Sequence, residues 1–343
     1  MRSFKGSRFG LYKDLLATSN YFKFVCGAGY QDKQDVEYFA YIYTLSGCSG
    51  FDLCANYEVV HSAKKGIKTA LKKAHELNIS IPFEPFITVS VGMPGDHHVR
   101  KAIITEQCIG CKSCIPVCPT DAITNKIHII KDQCIGCGNC EAACPTGVQG
   151  IIYKHNSSEL LEVLPKCIEA GADSIELHAG VPDNEATLKE WQTVSRVLPN
   201  GMISMSLDRM HLSDQSLLER IEEARNIAGD RLIIQADGIP MSGGTNNFNT
   251  TLQAVSVADL IRRKLKLIDS TYKDLPILIS GGTNSYTGKL ARQFGVDFNG
   301  IAIGTHARNL ISKYRRSSNR LEDENVYKAM KEANKLINNN LRS

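Results

Sequence analysis

Eight cysteines crowd into two runs, Cys108-x2-Cys111-x2-Cys114-x3-Cys118 followed by Pro119, and Cys134-x2-Cys137-x2-Cys140-x3-Cys144 followed by Pro145. Three thiolates two residues apart can wrap one face of an iron–sulfur cubane, and the fourth iron then takes a ligand from elsewhere in the fold. In a doubled pattern that ligand comes from the other run. The spacing therefore predicts two [4Fe-4S] clusters, one on Cys108, Cys111, Cys114 and Cys144, the other on Cys134, Cys137, Cys140 and Cys118. The segments Gln-Cys-Ile-Gly-Cys ending at Cys111 and at Cys137 are identical, as a module of pseudo-twofold symmetry requires. Gly110 and Gly136 let the backbone turn close to the sulfurs, where amide N–H groups offset negative charge. Structural zinc also uses Cys-x2-Cys pairs, but it needs neither the third cysteine nor the Cys-Pro exit.

Twelve cysteines in all, in a chain with no apolar leader segment, argue for metal ligation rather than disulfides. Lys5, Arg8, Lys13 and Lys23 interrupt every apolar stretch near the N-terminus, and the longest apolar runs elsewhere fall far short of the ~20 residues of a membrane span. A soluble, cytoplasmic protein is the expectation. The balance of 40 basic and 36 acidic residues gives no electrostatic reason to expect nucleic acid or an anionic membrane as partner.

The elements that must position these cysteines are read from periodicity. Short β-branched runs at 23–27, 51–55, 86–91, 174–178, 202–207, 232–236, 277–280 and 300–303 alternate with stretches of helical period. Val36, Phe39, Ala40 and Tyr43 mark one buried helix face; Ala63, Ile67, Ala70, Leu71 and Ala74 mark a second, and Leu217, Leu218, Ile221 and Ala224 a third that begins at Ser213-Asp214. Pro165 is expected to break or kink the helix over 159–170. A final helix over 323–337 is expected to lie beyond the eighth unit rather than in the ring. The fold class is α/β, a (β/α)8 TIM-like barrel with an inserted α+β two-cluster ferredoxin-like module: barrel strands one to three in 1–97, the module in 98–150, and strands four to eight with the C-terminal helix in 151–343. Inserted after strand three, the module emerges at the face where such barrels keep their active sites.

At that face Gly281, Gly282, Gly304 and Thr305 follow the last two strands, where small residues in such barrels bare backbone N–H groups for a phosphate or flavin mononucleotide. The echo Ser242-Gly243-Gly244-Thr245-Asn246 points instead to a plain recurring turn as the commoner reason for such glycines. His178, Asp208, Arg209 and Asp237 fall at strand ends, as proton-handling groups or as ordinary rim capping and ion pairs. Cys26, Cys48, Cys54 and Cys167 read as small buried apolar residues, with redox activity or extra ligation as the alternative. No stretch completes a dinucleotide-binding glycine fingerprint. The run Lys313-Tyr314-Arg315-Arg316 reads as a solvated connection.

With the cysteine runs inside a barrel-like chain that opens on Phe22-Lys-Phe-Val-Cys-Gly-Ala-Gly-Tyr30, the sequence resembles the cyanobacterial light-dependent period (LdpA) family over most of its length. The resemblance implies an iron–sulfur protein that adjusts circadian period to light by sensing cellular redox state. It also implies partners among clock input and output proteins, including KaiA and the histidine kinases CikA and SasA. The residues themselves support only redox-active clusters. A second reading is a flavin-dependent oxidoreductase, with electrons passed from the clusters to the barrel mouth; a third is a plain electron carrier, which leaves most of the chain without a task.

Overall fold

The computed structural model describes residues 7–93, 96, 99–155, 160–238 and 247–341. Helix α1 (Arg8–Ala17) precedes β1 (Tyr21–Val25), α2 (Lys33–Leu45), β2 (Gly50–Cys54), α3 (Tyr57–Glu76) and β3 (Phe86–Gly92). An insert follows, holding β4 (Arg100–Ile104), the short α4 (Asn139–Ala142) and β5 (Ile151–His155). The barrel then resumes with α5 (Leu160–Glu169), β6 (Ser174–His178), α6 (Asn184–Val197), β7 (Ile203–Leu207), α7 (Asp214–Ala228), β8 (Leu232–Asp237) and α8 (Asn247–Ile261). It ends with β9 (Ile277–Ser280), α9 (Thr287–Gln293), β10 (Gly300–Ile303), α10 (Thr305–Leu310), α11 (Ser312–Arg315) and α12 (Asp323–Leu341).

Strands β1, β2, β3, β6, β7, β8, β9 and β10 form one closed parallel barrel, β10 pairing back onto β1. The eight expected strands are these eight, each bound within two residues of the sequence reading. The helices begin where side chains satisfy their first N–H groups: Asp32 caps α2, Asn56 α3, Asp183 α6 and Ser213 α7. The apolar faces read from the sequence are the buried ones, with Leu71 and Leu218 at their margins.

Alternation along the strands divides the barrel into two layers. Phe22 and Phe24, Phe51 and Leu53, Ile175 and Leu177 join the apolar core shared with the helices. Between them Lys23, Asp52 and Glu176 turn into the barrel, where Lys23 of β1 reaches across to Glu176 of β6 at 2.6 Å. The N-terminal end of the barrel is closed by α1, whose Tyr12, Leu15 and Leu16 pack on Tyr21, Phe86 and Leu278. Arg8 fixes that plug through Asp173 at 2.6 Å and the carbonyls of Glu84 and Pro85, both at 2.8 Å.

Two expectations are corrected. Helix α5 continues through Pro165 from Leu160 to Glu169, so the expected break does not occur there. Helix α12 belongs to the ring: it packs on α2 and α9, the neighbours of an eighth barrel helix, and on β1 and β10. Its Asn340 accepts from Gly288 N–H at 2.9 Å and donates to the Asn284 carbonyl at 3.2 Å. Among the described residues no helix is long and apolar enough to cross a membrane.

Candidate metal centres

The insert is built on the antiparallel pair β4 and β5, in register from Arg100 opposite His155 to Ile104 opposite Ile151. This pair extends past residue 150, so the second strand of the insert lies within the stretch that the sequence reading gave to the barrel. Ala102, Ala122, Ile123, Ile129 and Ile151 form a small core of their own with Cys114, Cys134 and Cys140. Positive φ values of +72° at Gly110 and +71° at Gly136 turn the two runs back on themselves, a conformation that a side chain would strain.

Two cavities flank that core. Cys118, Cys134, Cys137 and Cys140 line the one against the barrel, with Tyr153 and Ile135. Cys108, Cys111, Cys114 and Cys144 line the other, with Ile127 and Val148. In each, three cysteines come from one run and the fourth from the other. Among the described residues neither lining contains a histidine or a carboxylate. Four sulfurs in an otherwise largely apolar wall fit an iron–sulfur group, since soft thiolates are its usual ligands.

The inner cavity is the better supplied with hydrogen bonds. Ala122 N–H donates to Cys118 Sγ at 3.2 Å and Ala102 N–H to Cys134 Sγ at 3.4 Å. The Tyr153 hydroxyl lies 3.2 Å from Cys140 Sγ, and the Arg100 guanidinium stacks 4.2 Å over the Tyr153 ring. Around the outer cavity Cys111 is exposed.

The loop after β1 docks the inner side. Gln31 N–H donates to the Asp132 carbonyl at 2.6 Å, and Gln133 Nε2 to Asp32 Oδ2 at 2.9 Å. Lys101 Nζ gathers the carbonyls of Lys131 at 2.9 Å and Cys134 at 2.7 Å, together with that of Gly29. Arg100 Nε donates to the Gly136 carbonyl at 2.9 Å.

The remaining cysteines lie elsewhere. Cys26, Cys48, Cys54 and Cys167 are buried and line neither cavity. Burial pushes the thiols of Cys48 and Cys54 up to about 12 and that of Cys167 up to about 11, and raises Cys26 as well. They therefore stay protonated and behave as small apolar side chains.

At the barrel mouth Gly281 and Gly282 take φ of +67° and +75°. A Cβ at Gly281 would stand 2.7 Å from the Gly238 nitrogen, so close approach of two loops accounts for that glycine. Gly304 caps α10, and Thr305 Oγ1 accepts from Arg308 at 3.0 Å. The echo at 242–246 lies outside the described residues. Arg209 pairs with Asp214 at 2.7 Å in an exposed contact, and Asp208 accepts from Met210 N–H at 2.8 Å, both local rim interactions. His178 is buried 3.7 Å from Glu176, and Asp237 accepts from Ser206 Oγ at 2.5 Å. Arg315, expected in a solvated connection, is instead largely buried, because Asp35 and Tyr30 accept its guanidinium.

Sequence reasoning passed over the polar layer inside the barrel. Glu176 accepts from Lys23 and, at 2.7 Å, from Gln235. Burial works to raise its pKa, but the charges of Lys23 and His178 outweigh that and hold it below the usual carboxylate value. Asp52, buried and close to Glu176, is pushed up to about 7, with Lys23 and the Ser90 hydroxyl only partly offsetting. Ligand atoms of Asp52, Glu176 and His178 lie within 4.8 Å of one another, with the Lys23 ammonium already among them. The signal was present as single polar residues between apolar ones: Phe-Lys23-Phe, Phe-Asp52-Leu, Ile-Glu176-Leu and Ile-Gln235-Ala.

A closed parallel barrel with cysteine-lined cavities in one loop defines an iron–sulfur-binding barrel protein. Family models match in two places: the Light dependent period A C-terminal domain over residues 167–342, and the LdpA Fe-S cluster-binding domain over 112–154. The chain belongs to the light dependent period A family. Light dependent period A of Synechococcus elongatus is 29% identical over 310 residues, covering 88% of this chain and 83% of that protein. Among solved structures, a putative fructose-1,6-biphosphate aldolase from Coccidioides immitis is 10% identical with a TM-score of 0.48, over 97% of each chain. The YdjI aldolase from Escherichia coli K12 is 8% identical with a TM-score of 0.44, over 95% of this chain and 92% of that one.

Proposed function

We propose that the chain carries two [4Fe-4S] clusters on crossed cysteine quartets and serves as a redox sensor that adjusts circadian period to light. The observation that carries this reading is the grouping of the eight sulfurs around two cavities, each drawing its fourth cysteine from the opposite run. Iron–sulfur clusters supply one-electron exchange. The chain's own residues do the rest. Ala102 N–H, Ala122 N–H and the Tyr153 hydroxyl stabilise sulfur charge at the inner site, while Lys101 and Arg100 tie the second run to the barrel rim.

A sensor needs a reader that binds its two states with different free energy, since equal affinity shifts nothing. The proposed readers are clock input and output proteins of the kind represented by KaiA, CikA and SasA, in the cytoplasm. The test begins with iron and acid-labile sulfide content, and electron paramagnetic resonance of the anaerobically reduced protein. Zinc, or protein without iron after oxygen-free preparation, overturns the reading. Flavin analysis of the same preparation addresses the alternative: stoichiometric flavin makes the chain an oxidoreductase, with Gly281, Gly282, Gly304 and Thr305 at its phosphate. In the native host, Cys111→Ser or Cys137→Ser is expected to abolish the light dependence of the period. An unchanged response rejects the sensing role while leaving the clusters in place.

A further inference from the structure

Apart from the cysteine cavities, a cleft opens where the insert meets the barrel rim. Its walls are Tyr30 and Phe39 from the first βα unit, Pro119 to Asp121 from the insert, and Arg308, Arg315 and Arg316 from the last. Three arginines thus line one small space, with two carboxylates, Asp35 and Asp121, paired to Arg315 and Arg316. Among the described residues the third cation has no such partner. Arg308 is only 7% exposed, and its hydrogen bonds go to the carbonyls of Val25 at 2.6 Å and Cys26 at 2.8 Å and to the Thr305 hydroxyl. Its Nε–H is buried without an acceptor, and so is that of Arg315.

A buried cation without a counter-charge is costly, and repulsion from a second guanidinium adds to the cost. Burial above all lowers the proton affinity of Arg308, with Arg315 adding to the effect and Cys26, Tyr30 and Asp52 offsetting it only in part. Planar guanidinium forks suit the oxygens of a phosphoryl group, which they hold by paired hydrogen bonds. Ser312 and Asn309 add polar groups to the lining, and Tyr30 and Phe39 give an aromatic wall beside it.

We propose that this cleft binds a small phosphate-bearing metabolite, its phosphoryl group lying among Arg308, Arg315 and Arg316. The exposed pair of Arg316 with Asp121 contributes little and yields readily to such a ligand. The site needs no metal, so it stands or falls apart from the cluster reading, although Pro119 to Asp121 follow the inner ligand Cys118 directly.

The test is calorimetric titration of the full-length, anaerobically purified protein with inorganic phosphate in chloride buffer of low ionic strength. One saturable site per chain is expected, weakened at least tenfold by Arg315→Gln and by Arg316→Ala, and unchanged by Arg209→Ala on another part of the rim. Arg316 is exposed, so Arg316→Ala decides the matter should Arg315→Gln fail to fold; unchanged iron content shows that the insert is intact. No saturable uptake overturns the proposal and leaves the arginines as an offset to the thiolates behind Pro119. Binding that Arg316→Ala leaves undiminished overturns it as well.

Discussion

The two cysteine cavities share one sequence pattern and occupy different surroundings. The inner one, on Cys118, Cys134, Cys137 and Cys140, rests against the barrel, with Ile135 in the main core and Cys137 packed on it. Two backbone N–H groups and the Tyr153 hydroxyl approach its sulfurs. The outer one includes the exposed Cys111, which takes hydrogen bonds from Ser113, and Cys144 Sγ beside the Val148 carbonyl at 3.3 Å. Burial, solvent access and hydrogen bonds to sulfur are what set the potential and lability of such groups. Equal spacing therefore does not make equal sites: the inner one is coupled to the barrel, and the outer one to solvent.

The largest effect expected from this contrast is on metal content. Cys134→Ser should take iron from about eight to about four per chain and expose the insert to limited proteolysis. Cys111→Ser should cost about as much iron while leaving the insert resistant. Equal proteolysis in the two variants would erase the distinction. Under a chelator or oxygen, visible absorption should bleach in two phases, and Cys111→Ser should remove the faster one.

A finer probe is Tyr153→Phe, which deletes a hydroxyl at Cys140 and nothing at the outer cavity. The inner couple should move to more negative potential in a redox titration followed by electron paramagnetic resonance, with the outer couple unmoved, because hydrogen bonds favour the more negative, reduced state. Docking can be loosened separately. Arg100→Ala removes the bond to the Gly136 carbonyl and the stack on Tyr153, and should destabilise the insert by about 1–2 kcal/mol in denaturant titration followed at the visible band.

Confinement of these effects to the insert can be checked with the barrel interior. Asp52 has its folded pKa raised to about 7 by burial and by Glu176, so its contribution to stability is highest at low pH. That contribution is lost as pH rises from the unfolded value of ~3.9 through 7. Asp52→Asn should flatten the loss, raising stability at pH 8 by about 1–3 kcal/mol while leaving iron content unchanged. The smallest expected effect is that of Gly150→Ala, whose Cβ would come within 3.3 Å of Cys144 Sγ. A modest acceleration of the fast bleaching phase is its readout.

Much of the architecture was legible because the relevant signals are local. Glycine and polar turns bound the strands, and the faces of α2, α3 and α7 announce themselves by helical spacing. The grouping of cysteines into threes was readable for the same reason, since a ligand run is a local motif. What was not legible depends on distant partners. Helix α12 joins the ring through contacts of Asn340 with Gly288 and Asn284, more than fifty residues away, and no periodicity encodes those. Arg315 reads as a solvated cation until the fold brings it to Asp35, and Lys23 as a break in an apolar run until it meets Glu176 across the barrel. The inequality of the two cavities is hidden likewise, because it arises from which run happens to face the β1 loop.

Arg100 and His155 stand opposite one another at the end of the β4–β5 pair, so the chain leaves the barrel and returns to it at neighbouring points. The ring of eight strands therefore closes without drawing any length from the segment between them. The cysteine-bearing part is thus spliced between β3 and α5 as a side branch of the ring, held down by the β1 loop through Gln31 and Asp32 and by Arg316 through Asp121.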